Sequence, residues 1–313
     1  MAFNLLGGGA ITFVLIGAIL LMGFMFYRSI FGSKPLGDLL GSASKHIGGI
    51  FKGVANLRNS VKGMRNNERG YNKDRKEIAE ISSSVGSQLE KVSEEKDFNP
   101  ERVNTIKEEI QKIKSMALDD LKISNDLLKE AKFGSPFVNE LRDIIPEQNL
   151  IETKVAFLEN RLRRYNLQFP ELQMIKTLAE EIKNSSARII ELEMQETQID
   201  VNLVEIINSR IPVIQQLLNL IDATLSLLDQ DPPLEHVSEM EENINKIRAA
   251  SSSLSRYSLD SLLGRKEQII EQILQELTQI QQRSVAQEEI KTRATNFIKS
   301  KIAKGAASKK DLP

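Results

Sequence analysis

Residues 178–224 read LAEEIKNSSARIIELEMQETQIDVNLVEIINSRIPVIQQLLNLIDAT. Taking alternate steps of four and three from Leu178 gives Leu178, Ile182, Ser185, Ile189, Leu192, Glu196, Ile199, Leu203, Ile206, Arg210, Val213, Leu217, Leu220 and Thr224, and ten of these fourteen are apolar. A stripe of that period sustained over such a length predicts a long helix with a left-handed coiled-coil seam. Its ten apolar residues, Leu178, Ile182, Ile189, Leu192, Ile199, Leu203, Ile206, Val213, Leu217 and Leu220, are the expected coiled-coil interface. Glu196 and Arg210 interrupt the seam. Polar seam residues can set register, but the plainer expectation is that both side chains snorkel to a wet edge. Pro212 cannot donate to the carbonyl of Asn208, so a kink is expected there.

On the C-terminal side the paired prolines of Asp229-Gln230-Asp231-Pro232-Pro233 predict a sharp turn. A return stripe follows through Val237, Met240, Ile244, Ile247, Ser251 and Leu254, with a bend expected in the Ser-rich residues 251–261. Leu259, Leu263, Ile270, Ile273, Leu277 and Ile280 then resume the pattern.

On the N-terminal side Ile78, Ile81, Val85, Leu89 and Val92 mark one helix. Asn99 before Pro100 is the start signal of the next, whose stripe is Val103, Ile106, Ile110, Ile113, Ala117, Leu121 and Leu128. Residues 71–132 thus predict a helical hairpin. Phe133-Gly134-Ser135-Pro136 breaks it, and a helical turn and a further helix are expected up to Phe169-Pro170. Nothing in the soluble part signals a strand. The expected fold class is all-α: an elongated antiparallel helical bundle or coiled coil behind a membrane anchor.

The anchor is residues 5–27, LLGGGAITFVLIGAILLMGFMFY, an uncharged run of 23 residues. About 20 suffice to cross a hydrocarbon core roughly 30 Å thick. No basic region precedes it, and Phe24, Phe26 and Tyr27 occupy its end, which argues against a cleaved signal. The nearby cations all follow it, so the positive-inside rule places the N-terminus outside and the bulk of the chain in the cytoplasm. A cell-membrane, single-pass protein is expected.

Charge is close to balanced overall, at −1, yet unevenly placed. Residues 1–67 carry seven cations against Asp38, and residues 291–313 carry seven against Asp311. Both ends therefore suit anionic headgroups, and the acidic middle does not. Between residues 36 and 64 apolar residues recur at steps of three and four. An amphipathic helix there would set Ile47, Ile50, Phe51 and Val54 toward lipid and Lys45, Lys52, Arg58, Lys62 and Arg65 toward phosphates. Packing of the same apolar face on the protein's own bundle is an equal alternative. Six glycines between Gly37 and Gly63 predict poor helicity in water. The expected divisions are thus 1–28 anchor, 29–67 basic amphipathic segment, 68–169 hairpin with short helices, 170–303 long hairpin, and 304–313 disordered basic tail. The basic end of the last helix, with Ile290, Phe297, Ile298 and Ile302 on one face, is expected to return to the membrane.

Catalytic signatures are missing from the sequence. There is no Cys, no phosphate loop, no nucleophile elbow and no HExxH. Of the two histidines, His46 reads as a headgroup contact. His236 with Glu239 or Met240 offers at most two metal ligands on one face. Acidic pairs such as Glu94-Glu95, Asp119-Asp120, Glu180-Glu181 and Glu241-Glu242 read as solvated faces, because consecutive helical residues point about 100° apart. The basic ends lack interleaved aromatic residues for base stacking, which argues against nucleic acid. No enzyme activity, cofactor or metal is expected. The expected role is a membrane-anchored coiled-coil scaffold or tether that forms a homo-oligomer or holds a helical protein partner. Membrane remodelling or pore formation is the rival.

Overall fold

The computed structural model describes residues 36–96, 99–131, 138–164, 168–230 and 232–307, with Val138 and residues 297–307 described by backbone alone. The expected membrane segment 5–27 lies outside the described residues, as do residues 308–313. Among the described residues every regular element is helical. In order they are α1 (Leu36–Leu39), α2 (Ala43–Glu95), α3 (Pro100–Glu130), α4 (Val138–Arg163), α5 (Pro170–Leu228), α6 (Val237–Ser253) and α7 (Asp260–Ala307). Single 3-10 turns, Pro233–His236 and Leu254–Tyr257, lie before and after α6.

The described residues divide into two compact units, each discontinuous in sequence. One draws on Met1–Val54, Pro136–Glu193 and Gln272–Pro313, the other on Ala55–Ser135 and Met194–Glu271. The division expected from sequence was consecutive. Its boundary at residue 67 falls inside α2, because the stripe that ends at Met64 continues in step through Glu68 and Tyr71 to Ile78, all buried. The boundary at 303 likewise falls inside α7, which runs on to Ala307.

In the first unit, α1 and the start of α2 pack with α4, the first part of α5 and the last part of α7. Leu36, Leu39, Leu40, Ile151, Val155, Leu158, Leu172, Ile175, Ala179 and Ile290 form its apolar cluster. Polar links between neighbouring helices fix the pairing. Lys183 Nζ donates to Glu152 at 2.7 Å and Arg283 Nη1 to Ser185 Oγ at 2.7 Å, while the Ser44 N–H donates to Ser284 Oγ at 3.1 Å. Between α1 and α2, Gly41 has φ +81°, and a Cβ there would lie 2.6 Å from a Glu288 carboxylate oxygen. Only glycine makes this turn without strain.

The second unit packs the rest of α2 with α3, the rest of α5, α6 and the start of α7. Its core includes Tyr71, Ile78, Val85, Leu89, Ile106, Ile110, Ile113, Ile214, Leu217, Ile221, Met240 and Ile244. Glu77 pairs with Lys112 and Glu95 with Arg102, so α2 and α3 run antiparallel. Lys107 pairs with Asp229 and Lys114 with Asp222, which sets α5 antiparallel to α3. Each such surface pair is worth under about 1 kcal/mol, so their value lies in alignment.

Poor helicity was expected of the Gly-rich start of α2. The helix is nevertheless continuous, because its apolar face is buried and packing outweighs glycine's entropic cost. Gly48, Gly49 and Gly63 point to open space, with nothing within 4 Å of an added Cβ. Asn99 caps α3 as its sequence suggests: its side chain accepts from the Arg102 N–H at 2.9 Å, and Pro100 follows at the first helical position. Asn99→Ala is expected to lower stability by about 1 kcal/mol, read as a shift of the urea midpoint at unchanged slope. Pro146 and Pro212 are both accommodated inside helices, α4 and α5. Among the described residues α5 is also the one helix long and apolar enough to cross a membrane by length and composition. Its buried side chains, however, pack within the two units.

Candidate functional site: two buried charge clusters

Arg210 and Glu196, the residues that interrupt the α5 seam, are 0% and 1% exposed. Neither snorkels. Helices on either side supply partners of opposite charge, and the result is a pair of ion clusters inside the second unit.

Around Arg210, Nη2 donates to both carboxylate oxygens of Glu68 on α2 at 2.9 Å, and also to the carbonyl oxygen of Tyr257. Glu68 Oε1 accepts in addition the Leu259 N–H at 2.8 Å. That last bond serves a backbone donor left over where the chain breaks between the Leu254–Tyr257 turn and α7. The Tyr71 ring, one turn along α2 from Glu68, stands 3.8 Å from the guanidinium carbon of Arg210. A cation over a desolvated ring face gains roughly 2 kcal/mol, which offsets part of the cost of burying Nε and Nη1, neither of which has an acceptor among the described residues. Asp120 of α3 shares this electrostatic neighbourhood and is 1% exposed. It departs from the solvated face expected for the Asp119-Asp120 pair.

The second cluster joins α5 to α7. Lys266, 1% exposed, pairs with Glu196 at 2.7 Å and with Asp200. Glu196 and Asp200 are four apart and so share a helix face, and one ammonium answers two carboxylates.

Burial dominates the protonation chemistry. Desolvation pushes the Asp120 carboxyl up to about 8, with Asp74 adding to the rise and Arg210 opposing it. Asp200 is raised to about 6 by desolvation, against the pull of Lys266. Glu68 is also raised by burial, with Arg210 and the Leu259 N–H drawing it back. Burial lifts the Tyr71 phenol above its ordinary value. A carboxyl raised in the folded state binds more protons there than when unfolded, so its contribution to stability is greatest below its ordinary value near 4 and is lost as pH rises to its folded value. Thermal melts are therefore expected to show higher stability at pH 5 than at pH 8. Asp120→Asn should flatten that slope and stabilise the protein at pH 8 by about 2 kcal/mol. A variant as pH-dependent as the parent would contradict this.

The expected coiled-coil interface is mostly closed by this chain's own helices. Ile182, Ile189, Leu192, Ile199, Leu203 and Leu217 are buried. Leu178, Ile206, Val213 and Leu220 are half-buried, because beyond Leu203 the buried stripe shifts to Ile207, Ile214, Ile221 and Leu228. A helix flanked on several sides buries a wider stripe than a two-stranded seam.

Of the expected membrane-surface residues, Ile47, Ile50 and Val54 are at most 1% exposed and Phe51 is half-buried. This corrects the lipid-facing alternative for those side chains: their apolar face packs on protein. Arg58 pairs with Glu271 and Arg65 with Glu267, both on α7. Lys45, Lys52 and Lys62 are exposed. His46 Nε2 stands 3.8 Å from Glu147, a protein partner in place of the expected headgroup.

Sequence reasoning found Glu196 and Arg210 but missed Glu68, Tyr71, Asp120, Asp200 and Lys266. The signal was present for some of them: Glu68 follows Val61 and Met64 in step, and Lys266 lies between Leu263 and Ile270 at steps of three and four. Charged residues in register with a stripe are buried with it, and they need partners in the facing stripes.

These features define a helical bundle aligned by internal ion clusters. Among the described residues no group of three or more His, Asp or Glu side chains is arranged to hold a metal ion. No family model matches the chain, and no curated protein or solved structure is similar to it.

Proposed function

We propose that this chain is a membrane-anchored helical scaffold without catalytic activity of its own. Residues 5–27 span the bilayer with the N-terminus outside, and the helical bundle stands at the cytoplasmic face, where it self-associates or holds a helical partner. The observation that carries the reading is the joining of an uncharged 23-residue stretch to helices whose buried Arg210 and Lys266 are paired with carboxylates on other helices. Charges so engaged align the bundle, which is what a scaffold requires of them.

Because the α5 seam is closed internally, contacts to a second copy fall on outer positions. Met194 and Val201, one heptad apart on α5, are 70% and 55% exposed. Two large apolar side chains at that spacing suit a helix–helix contact. Crosslinking of the full chain in intact membranes is expected to give oligomers that Met194→Glu/Val201→Glu abolishes. A protein that stays monomeric in the membrane and captures no partner would remove the scaffold reading. Burial of Ile47, Ile50 and Val54 counts against the rival of membrane remodelling by that helix, and vesicles bearing the protein are expected to remain sealed.

A further inference from the structure

We propose that one end of the first unit, formed by the end of α4, the start of α5 and the last turns of α7, is a cationic platform that rests on the anionic headgroups of the membrane in which the chain is anchored. The inference rests on reading residues 5–27 as that anchor, and it assigns the lipid contact to residues other than those of α2.

The convergence follows from helix direction. Leu36, where α1 begins, shares an apolar cluster with Leu158, Leu172, Ile175 and Ile290. Leu162 at the end of α4 and Phe169 just before α5 pack against the same cluster. α7 meets Ser185 through Arg283 and then passes to the level of Ile175 at Ile290, so it runs antiparallel to α5 and toward its start. From Ile290 to Ala307 it rises a further 25 Å or so at 1.5 Å per residue. From Ile175 back to Pro170 α5 covers only about 7 Å. The end of α7 therefore projects beyond the start of α5.

Charge at this end is of one sign where the helix projects. Residues 290–307 contain five cations and no acid. Lys291 and Arg293 are answered by Glu288 and Glu289 one turn earlier, whereas Lys299, Lys301 and Lys304 follow where the sequence has no acid within four residues. Arg163 and Arg164 at the end of α4 are both exposed. Tyr27 is nine residues before Leu36, so whatever path the chain takes, the two are within about 32 Å. The anchor thus holds this end near the bilayer, and a cationic surface held there gains from the negative potential of the cytoplasmic leaflet.

The chain has no Cys, which allows a direct test on the full-length protein in vesicles. Single substitutions Gln168→Cys, Asn296→Cys and Glu191→Cys are labelled with a fluorophore, and a nitroxide carried on the lipid headgroup serves as quencher. All three positions are exposed, and Glu191 is roughly 28 Å along α5 from Leu172. Quenching is expected at 168 and 296 but not at 191 in phosphatidylserine-containing vesicles, and it should fall in vesicles of phosphatidylcholine alone. Each cation near an anionic leaflet favours contact by roughly fivefold. Arg163→Glu/Arg164→Glu is therefore expected to weaken contact by more than tenfold. If the chain resists carbonate extraction but 168 and 296 are unquenched, or quenched regardless of lipid charge, the platform is wrong and the anchor stands. If carbonate releases the chain, both readings fall.

Discussion

Arg210→Met is expected to lower stability by about 3 to 5 kcal/mol, the cost of leaving a buried charge without its partner. Glu68 would retain the Leu259 N–H but lose both contacts from Nη2, and it is 0% exposed. At roughly 2 to 4 °C per kcal/mol, the melting temperature should fall by about 6 °C or more. Met keeps the length and apolar character needed beneath the Tyr71 ring, so the loss reports charge rather than a cavity. Glu68→Gln in the same chain is expected to recover most of it: the amide oxygen can still accept from Leu259, and no charge is stranded. Calorimetry of the two single variants and the double gives the coupling directly. A coupling energy near zero would show that Glu68 and Arg210 do not act as a pair.

The second large effect is expected at Lys266→Met. Two buried carboxylates, Glu196 and Asp200, would lose their common cation. Like charges in a dry site raise each other's affinity for protons, so removing the ammonium lifts the Asp200 carboxyl further above its ordinary range. The sign is then determined: protonation relieves the defect, and the deficit should be about 3 kcal/mol at pH 8 and distinctly smaller at pH 5. Asp200→Asn added to Lys266→Met should narrow the gap between the two pH values. A deficit equal at both would mean that the carboxylates are relieved by water or by movement of α5 against α7.

Both variants bear on alignment as much as on stability. A one-heptad slip of α5 past α2 or α7 would leave its apolar positions facing apolar positions, because the seam repeats. Glu196, Asp200 and Arg210 do not repeat, and a slipped helix would strand all three. Buried polar groups that single out one register are a recognised use of such residues. Under the scaffold role proposed above, outer positions would meet a partner at a set spacing, and a single register would serve that role.

How far the fold could be read from sequence differs from element to element. The α3 start was plain, since Asn99 and Pro100 act through local bonds that depend on little beyond the next three residues. The turn around Pro232 was equally plain, and so was the helical character of α5. The start of α2 went the other way. Its glycines argue locally against helix, and burial of Ile47, Ile50 and Val54 overrides them. Arg210 and Glu196 were conspicuous as polar residues in an apolar seam, but their surroundings were misjudged. A residue's own helix shows only which face it is on; whether that face is wet depends on how many other helices cover it.

The sequence by itself determined that this is an all-helical protein, because stripe periods, caps and paired prolines are properties of short stretches of chain. It also determined where the one long uncharged run lies. Only the tertiary structure decided that α2 is one helix through two units, that Glu68 meets Arg210 across 142 positions in the chain, and that Lys266 stands between Glu196 and Asp200. The physical reason is that burial and ion pairing between helices depend on which stripes face each other. Stripes of the same period are interchangeable until the folded chain brings particular charges together.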